Sequence, residues 1–215
     1  MKQTVRLSFL AAGLALACAQ ASATTLTFED LAVGATLSNQ YAALGATFSP
    51  NPFTGAGTST SGEAWASNAD MTIVSSTGTD IGGLGTPAGL VSGNILRSFA
   101  GWLAEDGDPS FTITFSGTAT GFSAAFAGVS TAADVTLFAF NGATLVGTVS
   151  GATTGQFVLS FAGPVTSVAI RPGSFNDWVG VDNISYTLAA VPEVSTYAMM
   201  GLGLALLAFK RRKLA

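Results

Sequence analysis

Hydrophobic and polar residues alternate along much of the chain between residues 24 and 190. In the segments 111–115 and 157–161, a Phe, Ile or Leu occupies every second position. A two-residue period directs successive apolar side chains to one face of an extended strand, whereas a helix needs a period near 3.6 residues. The alternation therefore predicts half-buried β-strands over this part of the chain.

Turn-forming residues separate the apolar runs. Asn141-Gly142 stands between two runs and favours a tight hairpin, and Leu37–Leu44 is compatible with a short helical turn. Short strands at intervals of about 8 to 12 residues are typical of an antiparallel β-sandwich or jelly roll, so we predict an all-β domain over 24–190. The predicted strands are Thr25–Glu29, Thr47–Ser49, Met71–Val74, Ile95–Leu103, Ser110–Phe115, Gly121–Ala127, Val135–Phe140, Thr144–Val149, Gln156–Phe161, Val165–Arg171 and Val179–Leu188.

The N-terminus has the pattern of a secretory signal peptide. Lys2 and Arg6 form a short positive region before the apolar run Leu7–Ala17, and Ala21-Ser22-Ala23 supplies a small-x-small cleavage site. The apolar run is too short to span a bilayer, which requires about 20 residues. The sequence therefore predicts a signal helix within residues 1–23 that is removed on export, with an uncleaved anchor or a buried helix as the alternative.

The C-terminus combines a short polar motif, an apolar helix and a basic end. Residues 191–196 are Val-Pro-Glu-Val-Ser-Thr, residues 197–209 are predominantly apolar, and residues 210–213 are Lys-Arg-Arg-Lys. A helix over 197–209 covers about 20 Å of the roughly 30 Å hydrocarbon core, and residues 194–196 with snorkelling basic side chains extend it to a marginal span. The positive end favours a cytoplasmic C-terminus. The sequence therefore predicts a transmembrane-type helix that holds an exported domain.

Composition narrows the possible chemistry. The 215 residues include no His and a single Cys, and only 9% of them are charged. Without His, Ser-His-Asp and Cys-His catalysis are excluded. The single cysteine, Cys18, lies in the predicted signal peptide, so the mature chain would have no disulfide; lipid attachment to Cys18 is an alternative.

Charge is distributed unevenly along the chain. Residues 24–190 contain two basic side chains, Arg97 and Arg171, against eleven acidic ones, which gives this segment a formal charge of -9. Such a segment repels phosphate backbones. A nucleic-acid partner is therefore excluded.

The three-part C-terminus resembles the PEP-CTERM sorting tail of Gram-negative, biofilm-forming bacteria. Val194 stands where the usual motif has a second proline. The resemblance implies that exosortase recognises the tail while the inner membrane holds the precursor transiently, and that the protein reaches the cell envelope or extracellular matrix. A plain membrane anchor is the alternative. The sorting motif is expected at Val191, Pro192, Glu193, Ser195 and Thr196, and the residues that fix orientation are expected to be Lys210, Arg211, Arg212 and Lys213.

Acidic residues near both ends of the β domain are candidate calcium ligands. Glu29 and Asp30 follow the first predicted strand, and Asp182 lies in the last one. The pattern is similar to carbohydrate-binding jelly rolls, in which the first and last strands are neighbours and an acid from each holds a structural Ca²⁺. The alternative is that these acids end strands and face water.

Two tryptophans are candidate sugar-binding residues. Trp65 and Trp178 lie in polar segments, whereas Trp102 lies in an apolar run that favours a place in the core. An exposed indole can stack on a sugar ring, so exopolysaccharide is a candidate partner. Paired carboxylates could serve a glycosidase, but the acids lie mostly in turn-like contexts. The sequence therefore predicts a non-enzymatic exported envelope or matrix protein, with a carbohydrate-binding module as the alternative.

Overall fold

The computed structural model describes part of the chain in detail. The described residues are 21, 23–51, 57–58, 64–65, 67–77, 89–98, 107–108, 110–129, 135–151, 155–172, 179–189 and 201–203. The chain divides into two compact units, one of residues 21–189 and one of residues 1–20 with 190–215.

Of the predicted C-terminal helix, only residues 201–203 are described, and they are helical. Within the described ranges, no helix has the length and apolar character needed to cross a membrane. The predicted signal helix and most of the predicted tail lie outside the described residues.

The described part of the unit of residues 21–189 consists mainly of β-strands, as the alternating pattern predicts. One 3₁₀ turn, Ala42–Leu44, falls within the predicted helical turn. The strands are β1 Ala23–Leu26, β2 Ala46–Pro50, β3 Gly57–Thr58, β4 Ala64–Trp65, β5 Ser67–Asn68, β6 Thr72–Ser75, β7 Asn94–Ser98, β8 Gly107–Asp108, β9 Phe111–Val129, β10 Val135–Asn141, β11 Thr144–Ser150, β12 Gly155–Phe161, β13 Val165–Pro172 and β14 Val179–Leu188.

Strand β9 organises the main sheet. Its first half pairs with β2 and β13, so that Ile113 lies between Phe48 and Val168. Its second half pairs with β12 and β14, so that Phe126 lies between Phe157 and Val181. The sheet order is β11-β10-β13-β9-β14-β7-β6, with β1 added on β14 and with β2 and β12 added on β9. All described pairings in this sheet are antiparallel; the separate two-residue pair β5 and β8 is parallel.

One large apolar core joins the two halves of the sheet. It includes side chains beside both parts of β9, and the ring centroids of Phe115 and Tyr186 lie 4.9 Å apart. Burial of such aromatic side chains provides most of the driving force for folding of a cysteine-free domain. The mostly antiparallel β architecture predicted from the sequence is therefore confirmed.

Two predicted strand boundaries are wrong for identifiable reasons. The predicted strands Ser110–Phe115 and Gly121–Ala127 form one strand, β9, because the intervening residues stay extended and Gly121 takes a positive φ of 63° within it. Strand β1 ends at Leu26 rather than at Glu29, because Phe28 adopts φ 60° and leaves the extended region.

The predicted hairpin at Asn141-Gly142 is confirmed. Asn141 pairs with Thr144, and Gly142 has φ 59°, in the left-handed region that such tight turns require. The hairpin joins β10 to β11, the last strand at one end of the sheet order.

Candidate functional site

Pairing of the first and last strands brings two of the predicted ligands to one end of the sheet. β1 runs antiparallel to β14, with Thr25 opposite Ser185 and Leu26 opposite Ile184. The chain leaving β1 is therefore directed towards the first half of β14, where Asp182 lies. Glu29 follows β1 and interacts electrostatically with Asp182.

The local backbone departs from ideal strands at this end. Phe28 and Asn183 have φ values of 60° and 50°, which non-glycine residues rarely adopt. The side chain of Phe28 is fully buried and its ring centroid lies 5.9 Å from that of Tyr41, so core packing offsets the strain. Asn183 tolerates this conformation better than most residues, and its Nδ2 donates a hydrogen bond to the Leu90 carbonyl oxygen at 2.7 Å.

Asp182 is a buried carboxylate with several donors. Its side chain is 1% exposed, Oδ1 accepts a hydrogen bond from the Asn183 N–H at 2.6 Å, and Oδ2 accepts one from the Ser92 N–H at 3.2 Å. Burial raises the pKa of Asp182 to about 6, the two backbone donors oppose this rise, and the nearby Glu29 carboxylate adds to it. The two hydrogen bonds therefore offset only part of the cost of burying the negative charge of Asp182.

The loop of residues 89–94 contacts both acids. Glu29 Oε1 accepts a hydrogen bond from the Asn94 N–H at 3.2 Å, while the same loop supplies the Ser92 N–H to Asp182. Gly93 has φ 64°, and a Cβ at this position would lie 1.7 Å from Glu29 Oε1. A larger residue here would therefore displace the Glu29 carboxylate, and the positive φ favours glycine.

Asp30, the third predicted ligand, has a different partner. Its Oδ1 accepts a hydrogen bond from the Tyr41 hydroxyl at 2.5 Å. Burial, together with the Asp30 hydrogen bond and charge, raises the pKa of Tyr41 above its usual range. In the part of the chain that the structure describes, no three or more His, Cys, Asp or Glu side chains form a group that could hold a metal ion.

The arrangement fits a cation in one respect. Two acidic side chains share one loop, and a divalent cation between them would relieve the repulsion and desolvation that raise the pKa of Asp182. Calcium takes six to eight oxygen ligands, so the two carboxylates would need additional backbone carbonyl or water ligands.

Comparisons with known proteins give distant similarity only. No protein-family description matches the chain, and no curated protein matches it. The K2 cleaved adhesin domain of Lys-gingipain is 18% identical, with a TM-score of 0.46, over 78% of this chain and 100% of that one. The K3 cleaved adhesin domain of Lys-gingipain from Porphyromonas gingivalis w83 is 16% identical, with a TM-score of 0.36, over 77% of this chain and 99% of that one.

A third solved structure, an isomalto-dextranase of Arthrobacter globiformis T6 complexed with panose, is 11% identical, with a TM-score of 0.31. That alignment covers 79% of this chain and 33% of the dextranase. At these scores, none of the three structures assigns a function to the chain.

The remaining predicted site residues are described little or not at all. The backbone of Trp65 lies in β4, opposite Gly57 of β3, and its side chain is outside the description. The other predicted sugar-binding, sorting and orientation residues lie outside the described ranges: Trp178, Val191, Pro192, Glu193, Ser195, Thr196, Lys210, Arg211, Arg212 and Lys213.

Sequence reasoning missed the loop that completes the acidic site. The Ser92 N–H donates to Asp182 and the Asn94 N–H donates to Glu29. Gly93, between them, lies close to the Glu29 carboxylate. Ser-Gly-Asn is a turn signal, which could have indicated a tight loop but not which side chains the loop contacts. Asn183 could have indicated a break in the strand, because Asn adopts the left-handed conformation more readily than most residues.

Proposed function

We propose that the chain is an exported, non-enzymatic protein of the cell envelope or extracellular matrix that exosortase sorts through its C-terminal tail. The observation that carries this proposal is the order of the last residues, a Pro-Glu motif, an apolar segment and a basic end. The compact unit of residues 21–189, whose strands are mostly antiparallel, would contain the exported part, a β-sandwich or jelly roll that begins at residue 24.

The physical character of the exported part supports this proposal. Antiparallel pairing and an extensive aromatic core stabilise the fold without a disulfide, which suits a chain whose only cysteine lies in the signal segment. A formal charge of -9 over residues 24–190 favours solubility outside the cell. The signal helix would be cleaved after Ala23, and the apolar helix 197–209 would hold the precursor in the inner membrane.

Substitution within the motif tests sorting directly. We expect Glu193→Gln to keep the full-length chain in the inner membrane, because exosortase would no longer recognise the Pro-Glu pair. Val194→Pro restores the usual motif and should be processed at least as fast as the parent. The measurement is the distribution of the protein between membrane and released fractions of the native host. Equal release of the parent and Glu193→Gln would contradict the proposal.

A second candidate function is a carbohydrate-binding module stabilised by calcium. The observation that favours it is the approach of Glu29 and Asp182 to the same loop, which leaves two acids in mutual repulsion. When bound, Ca²⁺ would neutralise this charge and tie β1, β14 and the loop 89–94 together. The chain's own part is to hold Asp182 in place through the Asn183 and Ser92 N–H groups.

Calcium titration followed by thermal unfolding tests this cation site. We expect Ca²⁺ to raise the Tm of the full chain, and we expect Glu29→Gln and Asp182→Asn to abolish the increase. Asp30→Asn is the matched control, because Asp30 binds Tyr41 instead, and it should keep the increase. A Tm that does not respond to Ca²⁺, or a response that survives Glu29→Gln, would remove this candidate.

Glycan binding is tested separately through the tryptophans. If the chain is a carbohydrate-binding module, Trp65→Ala or Trp178→Ala should reduce retention of the protein on host exopolysaccharide by about tenfold, because stacking on a sugar ring is lost. Val33→Ala, which shortens a side chain that is 61% exposed elsewhere, is the control. Retention that neither tryptophan affects would show that they do not form the sugar site.

A further inference from the structure

Two phenylalanine rings of β10 lie outside the apolar core. Phe138 and Phe140 are half-buried, and neither belongs to the main core or to the smaller apolar cluster of the β unit. Leu137 and Ala139, which alternate with them, are buried in the main core. Because successive side chains of a strand point to opposite faces, Phe138 and Phe140 lie on the outward face of the sheet. Packing of the core therefore does not account for these two rings.

Hydroxyl side chains lie in register with the two rings on the same face. One row crosses β2, β9, β13 and β10, and it consists of Thr47, Thr114, Ser167 and Phe140. The next row lies two residues away along each strand and continues onto β11, and it consists of Ser49, Thr112, Ala169, Phe138 and Thr148. Within a row the strands are about 4.8 Å apart, and the two rows are about 6.7 Å apart. We call these nine residues the aromatic face.

Several hydroxyl groups of the aromatic face are available to a ligand. Thr114 and Thr148 are exposed, and Ser167 is half-buried. In the part of the chain that the structure describes, the hydroxyl groups of these three residues have no hydrogen-bond partner, although the Thr114 carbonyl accepts from the Thr47 hydroxyl. A hydroxyl group can donate one hydrogen bond and accept others. The face therefore offers unpaired polar groups beside two partly exposed rings.

The charges of the five strands indicate which ligands this face accepts. Within their described ranges, β2, β9, β10, β11 and β13 contain no acidic residue, and Arg171 of β13 is their one charged residue. Residues 24–190 as a whole carry a formal charge of -9. The domain therefore repels an anionic polymer, and it attracts a cationic one to acids that lie outside these strands. An uncharged ligand is subject to neither effect.

A sugar matches both parts of the aromatic face. A purely apolar partner would remove water from the hydroxyl groups of Thr114 and Ser167 without replacing their hydrogen bonds, which is unfavourable. A sugar ring instead presents C–H groups that stack on an aromatic ring and hydroxyl groups that bond to polar side chains. Arg171 lies opposite Thr136, one row beyond Phe138, and is exposed. Its guanidinium adds further N–H donors for sugar hydroxyl groups.

We propose that the aromatic face binds an uncharged polysaccharide. Sugar rings stack on Phe138 and Phe140, and sugar hydroxyl groups bond to Thr114, Ser167 and Thr148. The proposal rests on the carbohydrate-binding candidate described above, but it places the ligand on the outward face of the sheet rather than at the two tryptophans. It requires neither the calcium site nor processing of the C-terminal tail.

Binding of the full-length protein to host exopolysaccharide tests the aromatic face. Anion exchange separates the polymer into a neutral fraction and an acidic fraction, and each is immobilised. We expect the parent to bind the neutral fraction about tenfold more tightly than the acidic one. Phe138→Leu and Phe140→Leu should each weaken binding about fivefold, because the flat ring is lost while apolar bulk remains. Thr114→Val removes a hydroxyl group at nearly constant volume and should weaken binding about threefold.

Phe161→Leu is the matched control. Phe161 is also half-buried, but it packs against the core and lies outside the aromatic face, so this variant should keep the affinity of the parent. Trp65→Ala should keep it as well. Unchanged circular dichroism shows that the variants fold.

The outcomes separate this proposal from the candidate function on which it rests. Unchanged binding in Phe138→Leu and Phe140→Leu, or tighter binding to the acidic fraction, would overturn the proposal. Binding that only the tryptophan variants weaken would also overturn it, and would leave carbohydrate binding in place at the tryptophans. A parent that neither fraction retains would remove the carbohydrate-binding candidate together with this site.

Discussion

The loop 89–94 and the β10–β11 hairpin are connections of opposite character in one β unit. The loop brings backbone donors to Glu29 and to the buried Asp182, and one of its glycines contacts Glu29 closely. The hairpin carries no charge, and Leu145 and Val146 are about half exposed. Charge is therefore buried and constrained at one place, while apolar surface is left accessible at the other.

Crowding the loop should cost more than the same change in the hairpin. Gly93→Ala adds a Cβ at a positive φ and displaces the Glu29 carboxylate, whose Oε1 would lie 1.7 Å away, so the Asn94 N–H loses its hydrogen bond and we expect the free energy of unfolding to fall by about 2 kcal/mol. The matched hairpin variant, Gly142→Ala, has a similar φ but no atom within 4 Å, and should lose only about 1 kcal/mol. Chemical denaturation of both variants measures the difference. Equal losses would show that the loop is no more constrained than the hairpin.

In the presence of a chelator, lowering the pH should raise the free energy of unfolding of the chain. The pKa of Asp182 is raised from 3.8 in the unfolded chain to about 6 in the folded one, chiefly by burial, so the folded state binds the additional proton. Stability from this group is complete below pH 4 and is lost as the pH rises through 6, by about 2 to 3 kcal/mol. Denaturation at pH 4.5 and 7.5 measures this, with Asp182→Asn as the comparison. The same slope in Asp182→Asn would assign the effect to another group.

A smaller loss of stability should show that Asp30 acts separately from Glu29 and Asp182. Tyr41→Phe removes the hydrogen bond to Asp30 and should lower the free energy of unfolding by about 1 kcal/mol. Tyr186→Phe removes a comparable bond to the Leu44 carbonyl oxygen, 2.9 Å long, and serves as the control for loss of a buried hydroxyl. Neither variant should change the response of Tm to Ca²⁺. A reduced response in Tyr41→Phe alone would place Asp30 in the cation site after all.

Strands were predictable because their signal is local. The alternation in 111–115 and 157–161 fixes which side chains enter the core, and the Asn141-Gly142 turn fixes the hairpin. The continuity of β9 across residues 116–120 was not predictable, because small polar residues suit turns and strands equally. The strands that pair with β9 on both sides keep this segment extended.

The acidic site was predictable only in part. The proximity of the chain after β1 to Asp182 follows from the pairing of the first and last strands. The partner of Asp30 depends on where the 3₁₀ turn places the Tyr41 hydroxyl, and the role of Gly93 depends on a contact between distant segments. Neither contact leaves a periodic signal in the sequence.

Mass-spectrometric mapping of both termini of the protein, taken fraction by fraction from its native host, tests export and sorting most directly. The proposed function predicts that residues 1–23 are absent and that released protein lacks everything beyond the Pro192 region. An intact end at residues 210–215, recovered from the inner membrane with no released form, would contradict exosortase sorting and leave the tail as a plain anchor.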